Sequence, residues 1–211
     1  TISDPGYFTL PGNRHQFRDW KAGGHGRVDL FKSIVISCDT YYYGLATEMG
    51  IEGIYDYLGK FGFGKKTGLD MEGESSGLLP SSDWKRRRYN QVWYPGDTVS
   101  VGIGQGYSLA TPLQLAYATA VLANDGIGHR PHLVKQLSTE GGDKKDSSAG
   151  INLQIKPDHL ALVKRAMIAV TLPGGTAAYA GSGAAYEFAG KTGTAQVIGI
   201  KQGEKYKEKE I

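Results

Sequence analysis

The 211 residues predict an α+β fold, and three observations predict it. Apolar residues recur at helical spacing in several segments, as in Leu160, Val163, Met167 and Val170. Elsewhere they alternate with period two, as in Val99, Val101 and Ile103, or Ile151, Leu153 and Ile155. No internal repeat and no linker-like stretch divides the chain, and its length is enough for one domain with a sizeable core.

Taken in order, residues 1–27 read as irregular, punctuated by turns at Pro5-Gly6, Pro11-Gly12 and Gly23-Gly24. Asp29 caps a helix with Leu30, Phe31, Ile34 and Val35 as its apolar positions. After Ser37-Cys38-Asp39, Asp39 is placed to cap a second helix that buries Tyr42, Leu45 and Met49 and ends at Gly50. A short helix follows over 53–60. Residues 66–97 read as turn-rich, anchored by Trp84, Trp93 and Tyr94, with Lys85-Arg86-Arg87-Arg88 as a solvated hairpin face. A strand over Val99–Ile103 breaks at Gly104-Gln105-Gly106, a turn given no chemical step. Thr111-Pro112-Leu113-Gln114 spells a helix start, with Thr as N-cap, Pro in the first turn and Gln closing a capping box. Strands are expected over 132–137 and 151–155, with a polar loop over 138–150 between them. Pro157-Asp158 opens another helix, and Gly174-Gly175-Thr176-Ala177 a short turn of helix. Tyr186 to Gly199 reads as a strand, and the charged tail from Lys201 as loosely ordered.

Composition excludes some functions. The formal charge is +3, and no arginine-rich helix, zinc-finger spacing or RNP-type strand is present, which argues against nucleic acid. A single cysteine rules out an internal disulfide but leaves the compartment open. No stretch approaches the roughly 20 apolar residues of a spanning helix.

Two motifs carry chemistry. Lys191-Thr192-Gly193-Thr194 ends an alternating run. There Lys191 brings positive charge to a carboxylate or proton network, and Gly193 lets a peptide lie along the edge as an added strand. The Thr194 N–H is placed to face a developing oxyanion, and its hydroxyl to take a terminal carboxylate. Ser37-x-Asp39 sets a hydroxyl and a carboxylate in one tight connection, as a proton relay requires. Plain helix capping uses the same residue types. Asp4, Asp19, His25 and Cys38 are of metal-ligand type, but their spacing, Asp-x14-Asp-x5-His-x12-Cys, is not a familiar zinc pattern. On spacing alone the cysteine reads as a small buried hydrophobe, and His25 between glycines as a loop donor, rather than as metal ligands.

With those motifs stand Pro5-Gly6-Tyr7-Phe8, Leu10-Pro11-Gly12, Arg18-Asp19-Trp20-Lys21, Gly24-His25-Gly26-Arg27 and Ser37-Cys38-Asp39-Thr40-Tyr41-Tyr42-Tyr43. Further on come Gly102-Ile103-Gly104-Gln105-Gly106-Tyr107, Thr111-Pro112-Leu113-Gln114, Gly175-Thr176-Ala177 and Lys191-Thr192-Gly193-Thr194-Ala195-Gln196-Val197. In this order they resemble the transpeptidase domain of the penicillin-binding protein 2 family, the class B, rod-shape penicillin-binding proteins of Gram-negative bacteria, over nearly the whole chain. The Ser-x-Asp in place of Ser-x-Asn resembles that branch in particular.

The resemblance implies a penicillin-binding/serine β-lactamase-like fold: an antiparallel sheet with helices on both faces, incomplete at both ends. Residues 1–211 are then expected to be a partial domain. The Ser-x-x-Lys nucleophile helix, pedestal and membrane anchor would precede Thr1, and the last strands and terminal helix would follow Ile211. It implies a peptidoglycan D,D-transpeptidase working through an acyl-serine, inhibited by β-lactams, in the periplasm on an inner-membrane anchor. Ser37, Asp39, Lys191, Thr192, Gly193 and Thr194 would form the site, with Lys191, Thr192 and Thr194 binding substrate. Peptidoglycan stem peptides, a membrane glycan polymerase and an elongation-complex scaffold would be its partners. It further implies one structural zinc on Asp4, Asp19, His25 and Cys38, with no cofactor needed for the chemistry. Two rivals stand beside this. A serine β-lactamase needs a carboxylate to activate a deacylating water, and no Glu-x-x-x-Asn loop is found in a fitting place. A non-catalytic β-lactam or peptidoglycan sensor would keep the pocket without the nucleophile.

Overall fold

The structure, a computed structural model, describes residues 1–135, 137–139, 142–144 and 150–195. Short strands β1 (Ile2–Asp4), β2 (Tyr7–Phe8), β3 (Phe17–Arg18) and β4 (Gly26–Val28) organise the start of the chain. β1 pairs antiparallel with β4, and β2 with β3. The segment read as irregular is thus two small ladders. Gly6 and Gly24 hold them together where backbones nearly touch: a Cβ on Gly24 would sit 2.2 Å from the Asp4 carbonyl oxygen. Both glycines also have positive φ, which other residues adopt at a cost.

Helix α1 (Leu30–Val35) is capped by Asp29, whose side chain accepts from the Lys32 N–H. Helix α2 (Asp39–Lys60) is broken at Gly50, at the expected end of its first half, where φ is 67° and ψ 164°. Its N-cap is Cys38, not Asp39, and the cap has no side-chain bond.

The turn-rich reading of 66–97 is corrected by helix α3 (Ser82–Tyr89). This helix lacks an apolar stripe and rests on its ends instead. The Ser81 hydroxyl accepts from the Trp84 N–H, Asn90 closes it in a left-handed conformation, and Arg86, Arg87 and Arg88 lie in the last turn, where the helix dipole favours cations. Nor is Lys85 part of a solvated face. It is only 2% exposed, bonded at 2.5 Å to Asp97 and set against the rings of Trp93, Tyr94 and Tyr107.

The strand expected over Val99–Ile103 is helix α4 (Pro95–Gly102). Pro95 pre-sets the first turn, and the Asp97 carboxylate accepts from the Tyr94 N–H. The misleading alternation has a physical source: α4 is buried on two sides. Val99 packs with Leu10 and Tyr43, and Val101 with Ala46, Ile51 and Ile54. The approach to α2 is close, since a Cβ on Gly102 would lie 2.4 Å from the Ala46 Cβ.

Helix α5 (Pro112–Ala123) begins with the capping box read from its sequence. Its Gln114 is fully buried and does more than cap. Nε2 donates to the carbonyls of Gly62, Lys65 and Ser76, while Oε1 accepts from the Thr111 N–H. One side chain thereby stitches the loop between α2 and α3. Strand β5 (Ile127–Gly128) follows. The strand expected over 132–137 is displaced: β6 (Leu137–Thr139) begins at its last residue and pairs with β7 (Gly142–Lys144) in the segment read as loop. β8 (Ile151–Asn152) pairs with β5 and stops short of the expected 155, where Gln154 turns to positive φ. Helix α6 (Pro157–Val170) is as read, burying Leu160, Ala166 and Val170. Helix α7 (Ala178–Gly181) follows the Gly174-Gly175 turn.

Among the described residues the sheet structure is four two-stranded antiparallel pairs rather than one sheet. Residues 186–195 form no strand, because no neighbouring strand of the described chain offers them a ladder. Residues 196–199 of that expected strand, the tail from Lys201 and part of the 138–150 loop lie outside the described residues.

Replacing Gln114 by Ala leaves three carbonyls and one N–H without their partner, so unfolding in urea should show a loss of about 2–4 kcal/mol. A loss under about 0.5 kcal/mol, the level of an ordinary surface change, would contradict the stitch.

Candidate active site

Ser37 and Lys191 are 154 residues apart in sequence, yet the Lys191 Nζ donates to the Ser37 Oγ at 2.7 Å. The route between them is a short stack of contacts. Helix α1 packs on α6 through Ile34, Ala166 and Val170, with Val35, Val163, Met167 and Ala177 around them. The 186–195 segment is then tied to α6: the Gly190 N–H donates to the Met167 carbonyl at 3.0 Å, and the buried Thr171 hydroxyl to the Phe188 carbonyl at 2.9 Å. A third tie closes the circuit. The Thr176 N–H reaches the Val35 carbonyl, and its hydroxyl lies 3.0 Å from that of Thr192. Gly175 lets this turn fold onto α6, since a Cβ there would fall 2.2 Å from the Val170 oxygen.

Ser37 occupies a distinctive backbone position. The Cys38 N–H bonds to the Ser33 carbonyl and the Ser37 N–H to the Ile34 carbonyl, the bond pair of a Schellman C-terminus. Ser37 is therefore the residue just past the α1 cap, with φ at 53°. Glycine is usual there, and a side chain costs about 1–2 kcal/mol. The hydroxyl is thus projected from a strained turn towards Lys191. The capping reading of Ser37-x-Asp39 is overturned. Ser37 caps nothing, and Asp39 lies in the first turn of α2, its carboxylate accepting from the Trp20 backbone N–H at 3.3 Å.

All six expected site residues, Ser37, Asp39, Lys191, Thr192, Gly193 and Thr194, line one open cavity of about 700 Å³. Its other walls are Trp20, Tyr42, Gly102, Ile103, Gln105 and Thr176. α4 supplies Gly102, and the chain just past it Ile103 and Gln105, so the helix mistaken for a strand builds one wall. Trp20, Gln105 and Thr176 stand in segments that carried the resemblance, but only distance along the chain hid their nearness to Ser37. A Cβ on Gly193 would meet nothing within 4 Å, so this edge is open to a peptide.

The electrostatics favour proton movement. Burial pushes the Asp39 carboxyl up to about 6, helped by the charge of Asp19 and opposed by the Trp20 N–H, Lys191 and His25. Burial also lowers the Lys191 ammonium, opposed by Asp39. An ammonium of lowered pKa, bonded to a hydroxyl, suits a relay.

Beside this cavity, Asp4, Asp19, His25 and Cys38 converge, their ligand atoms all within 4.8 Å of one another. The His25 Nδ1 is 2.8 Å from an Asp4 oxygen and 3.4 Å from an Asp19 oxygen, and the Cys38 Sγ is 3.5 Å from Asp4. The two aspartates and the cysteine are buried. Burial pushes the Cys38 thiol up to about 12, helped by both carboxylates. The buried His25 Nε2 has no hydrogen-bond partner. Two buried carboxylates beside a thiol form a donor set that a divalent cation fits in charge and in ligand type.

One tetrapeptide does spell Ser-x-x-Lys: Ser82-Asp83-Trp84-Lys85 in α3. This corrects the reading that the chain contains no Ser-x-x-Lys at all. It is no part of the site. Neither residue lines the cavity, the Ser82 N–H is bonded to Glu52, and the Lys85 ammonium is committed to Asp97.

The family model described as the penicillin binding protein transpeptidase domain matches residues 1–211, and the chain belongs to that family. Among its relatives, the peptidoglycan D,D-transpeptidase MrdA of Acinetobacter baumannii is 46% identical over 98% of this chain and 31% of its own length. The MrdA of Escherichia coli K12 is 41% identical over 100% and 34%. The chain thus spans about a third of the length of these curated relatives. Solved Pseudomonas aeruginosa PBP2, in complex with WCK 5153, superposes with a TM-score of 0.86 at 45% identity, covering 93% of this chain and 44% of that one. Helicobacter pylori PBP2 in complex with MreC gives 0.79 at 36% identity, over 93% and 35%.

Proposed function

We propose that this chain is part of the transpeptidase domain of a peptidoglycan D,D-transpeptidase of the penicillin-binding protein 2 kind, and that residues 1–211 fall within one domain of a longer protein. The observation that carries the reading is the Lys191–Ser37 contact inside a cavity edged by Thr192, Gly193 and Thr194. The MrdA relatives support it by their names and by their identity over the whole chain.

The reaction then follows in two steps. A serine on a Ser-x-x-Lys helix of the longer protein gives up its hydroxyl proton to the lysine network as its oxygen attacks the carbonyl of the penultimate D-alanine of a stem peptide. The carbonyl oxygen takes the negative charge and is met by the Thr194 N–H. As the tetrahedral centre collapses, the bond to the terminal D-alanine nitrogen breaks, and that amine takes a proton passed along Ser37 and Lys191. The terminal carboxylate rests on Lys191 and the hydroxyls of Thr192 and Thr194. The amine of a second stem peptide attacks the acyl-serine carbonyl, the bond from that carbonyl to the serine oxygen breaks, and the same network carries the amine's proton to the departing serine oxygen. Asp39 holds the loop and the charge facing Lys191. A β-lactam offers the same serine a strained amide, so it acylates and stalls.

The partners proposed are stem peptides, a membrane glycan polymerase and an elongation-complex scaffold. Support comes from the Helicobacter PBP2–MreC complex and from a peptidoglycan synthase complex whose solved chain is 30% identical, with a TM-score of 0.75. The proposed location is the periplasm. No helix of the described residues is long and apolar enough to cross a membrane, so the proposed inner-membrane anchor belongs to the longer protein.

Asp4, Asp19, His25 and Cys38 are proposed to hold one structural zinc, with no part in the chemistry. The ion would neutralise the carboxylates, deprotonate the thiol and pin the β1–β4 region to the loop that aims Ser37. Zinc in purified wild type should be near one per chain and largely lost in Cys38→Ser; equal zinc in both removes the proposal.

In the full-length protein, Lys191→Ala should slow acylation by a fluorescent penicillin about 10²–10⁴-fold, the range of a lost acid–base group. Ser82→Ala should leave it unchanged. An inert Ser82→Ala, or a fully active Lys191→Ala, contradicts the assignment. Steady turnover of nitrocefin, rather than a slowly cleared stoichiometric adduct, would instead indicate a β-lactamase.

A further inference from the structure

The Trp20 side chain is 61% exposed at the cavity rim, yet its indole nitrogen is fully engaged. Nε1–H donates to the Ile36 carbonyl at 3.1 Å and to the Ser37 carbonyl at 3.0 Å. These carbonyls lie at the C-terminus of α1, where the helix itself offers no donors. The backbone N–H of the same residue donates to the Asp39 carboxylate. Trp20 therefore grips the Ser37-Cys38-Asp39 turn on both sides. The turn needs holding: Ser37 is non-glycine at positive φ, and its own N–H makes only a 3.4 Å bond to Ile34. Trp20 is itself fixed, its ring 5.2 Å from that of His25 and the preceding Asp19 N–H bonded to the Gly6 carbonyl. A side chain kept at the rim only for packing needs no such aim.

We infer that Trp20 is a positioning residue: its indole N–H locks the left-handed turn at Ser37, so that the Ser37 hydroxyl stays aimed at Lys191. This rests on the proposed transpeptidase reading, in which that hydroxyl carries a proton. The clamp acts on the chemical step and not on how tightly a substrate first binds. A phenylalanine keeps a ring at the rim but has no N–H to offer. An isosteric benzothienylalanine keeps the full bicyclic shape and lacks only that donor.

The test uses the full-length protein with Trp20→Phe and, separately, Trp20→benzothienylalanine. Acylation by a fluorescent penicillin is followed by stopped flow, to separate the acylation rate constant from the dissociation constant of the initial complex. Both variants should lose about tenfold in the rate constant, the scale of one to two lost neutral hydrogen bonds, with the dissociation constant unchanged. An unchanged rate constant overturns the inference, and so does an effect on the dissociation constant alone, which marks a rim contact. Should wild type form no adduct, the transpeptidase reading is what fails. The clamp is then decided by a crystal structure of the benzothienylalanine variant. Ser37 released from positive φ, with its hydroxyl beyond hydrogen-bond reach of Lys191, supports the inference; a turn identical to wild type overturns it.

Discussion

The hydrogen bond from the Lys191 ammonium to the Ser37 hydroxyl is the contact around which the remaining structure is arranged. Neither partner can find the other locally, since one lies just past a six-residue helix and the other sits in a segment that has no sheet partner among the described residues. Their meeting depends on α1 packing against α6, and on the backbone of 186–195 being hung from α6 at Phe188 and Gly190. Apolar burial supplies the attraction, and a few hydrogen bonds supply the register. The polar pair itself sits at the open end of this stack, where bond geometry matters more than net stabilisation.

A tension follows from that arrangement. The turn that presents Ser37 is strained, and both charged groups near it are partly desolvated. Strain of this sort persists only where the surroundings over-determine it. Here three sets of contacts act on it: the Schellman bonds of α1, the Trp20 indole N–H, and the contact of Cys38 with Asp4 in the neighbouring cluster. The cluster and the cavity share the same loop, since Cys38 separates Ser37 from Asp39. Whatever orders one therefore orders the other.

Which residues gather in space was more legible than where the elements begin and end. Lys191-Thr192-Gly193, Ser37-x-Asp39 and the four scattered ligand-type residues could be grouped by residue type and family pattern, and each group is indeed gathered in space. Helix ends with chemical markers were equally legible, as at Asp29, Thr111-Pro112-Leu113-Gln114 and Pro157. What failed was inference from periodicity alone. Val99, Val101 and Ile103 alternate because α4 is wedged between two apolar clusters, so burial on opposite sides imitates a strand. Helix α3 escaped notice because it has no apolar stripe to read. Lys85 looked solvated because its ion pair and aromatic surroundings come from a later segment. The Ser-x-x-Lys spelling at Ser82 shows the converse, a motif with the right letters in a place where its lysine is already spent on Asp97.

The central claim is that Ser37 and Lys191 act as one unit. It is tested most directly by a double-mutant cycle on penicillin acylation in the full-length protein, using Ser37→Ala, Lys191→Ala and the pair. If the two groups share one proton path, the double variant should be no slower than the slower single variant, because the second change removes nothing that still works. Losses that multiply would mean two independent contributions, and the 2.7 Å contact would then be a neighbourly accident rather than the heart of the site.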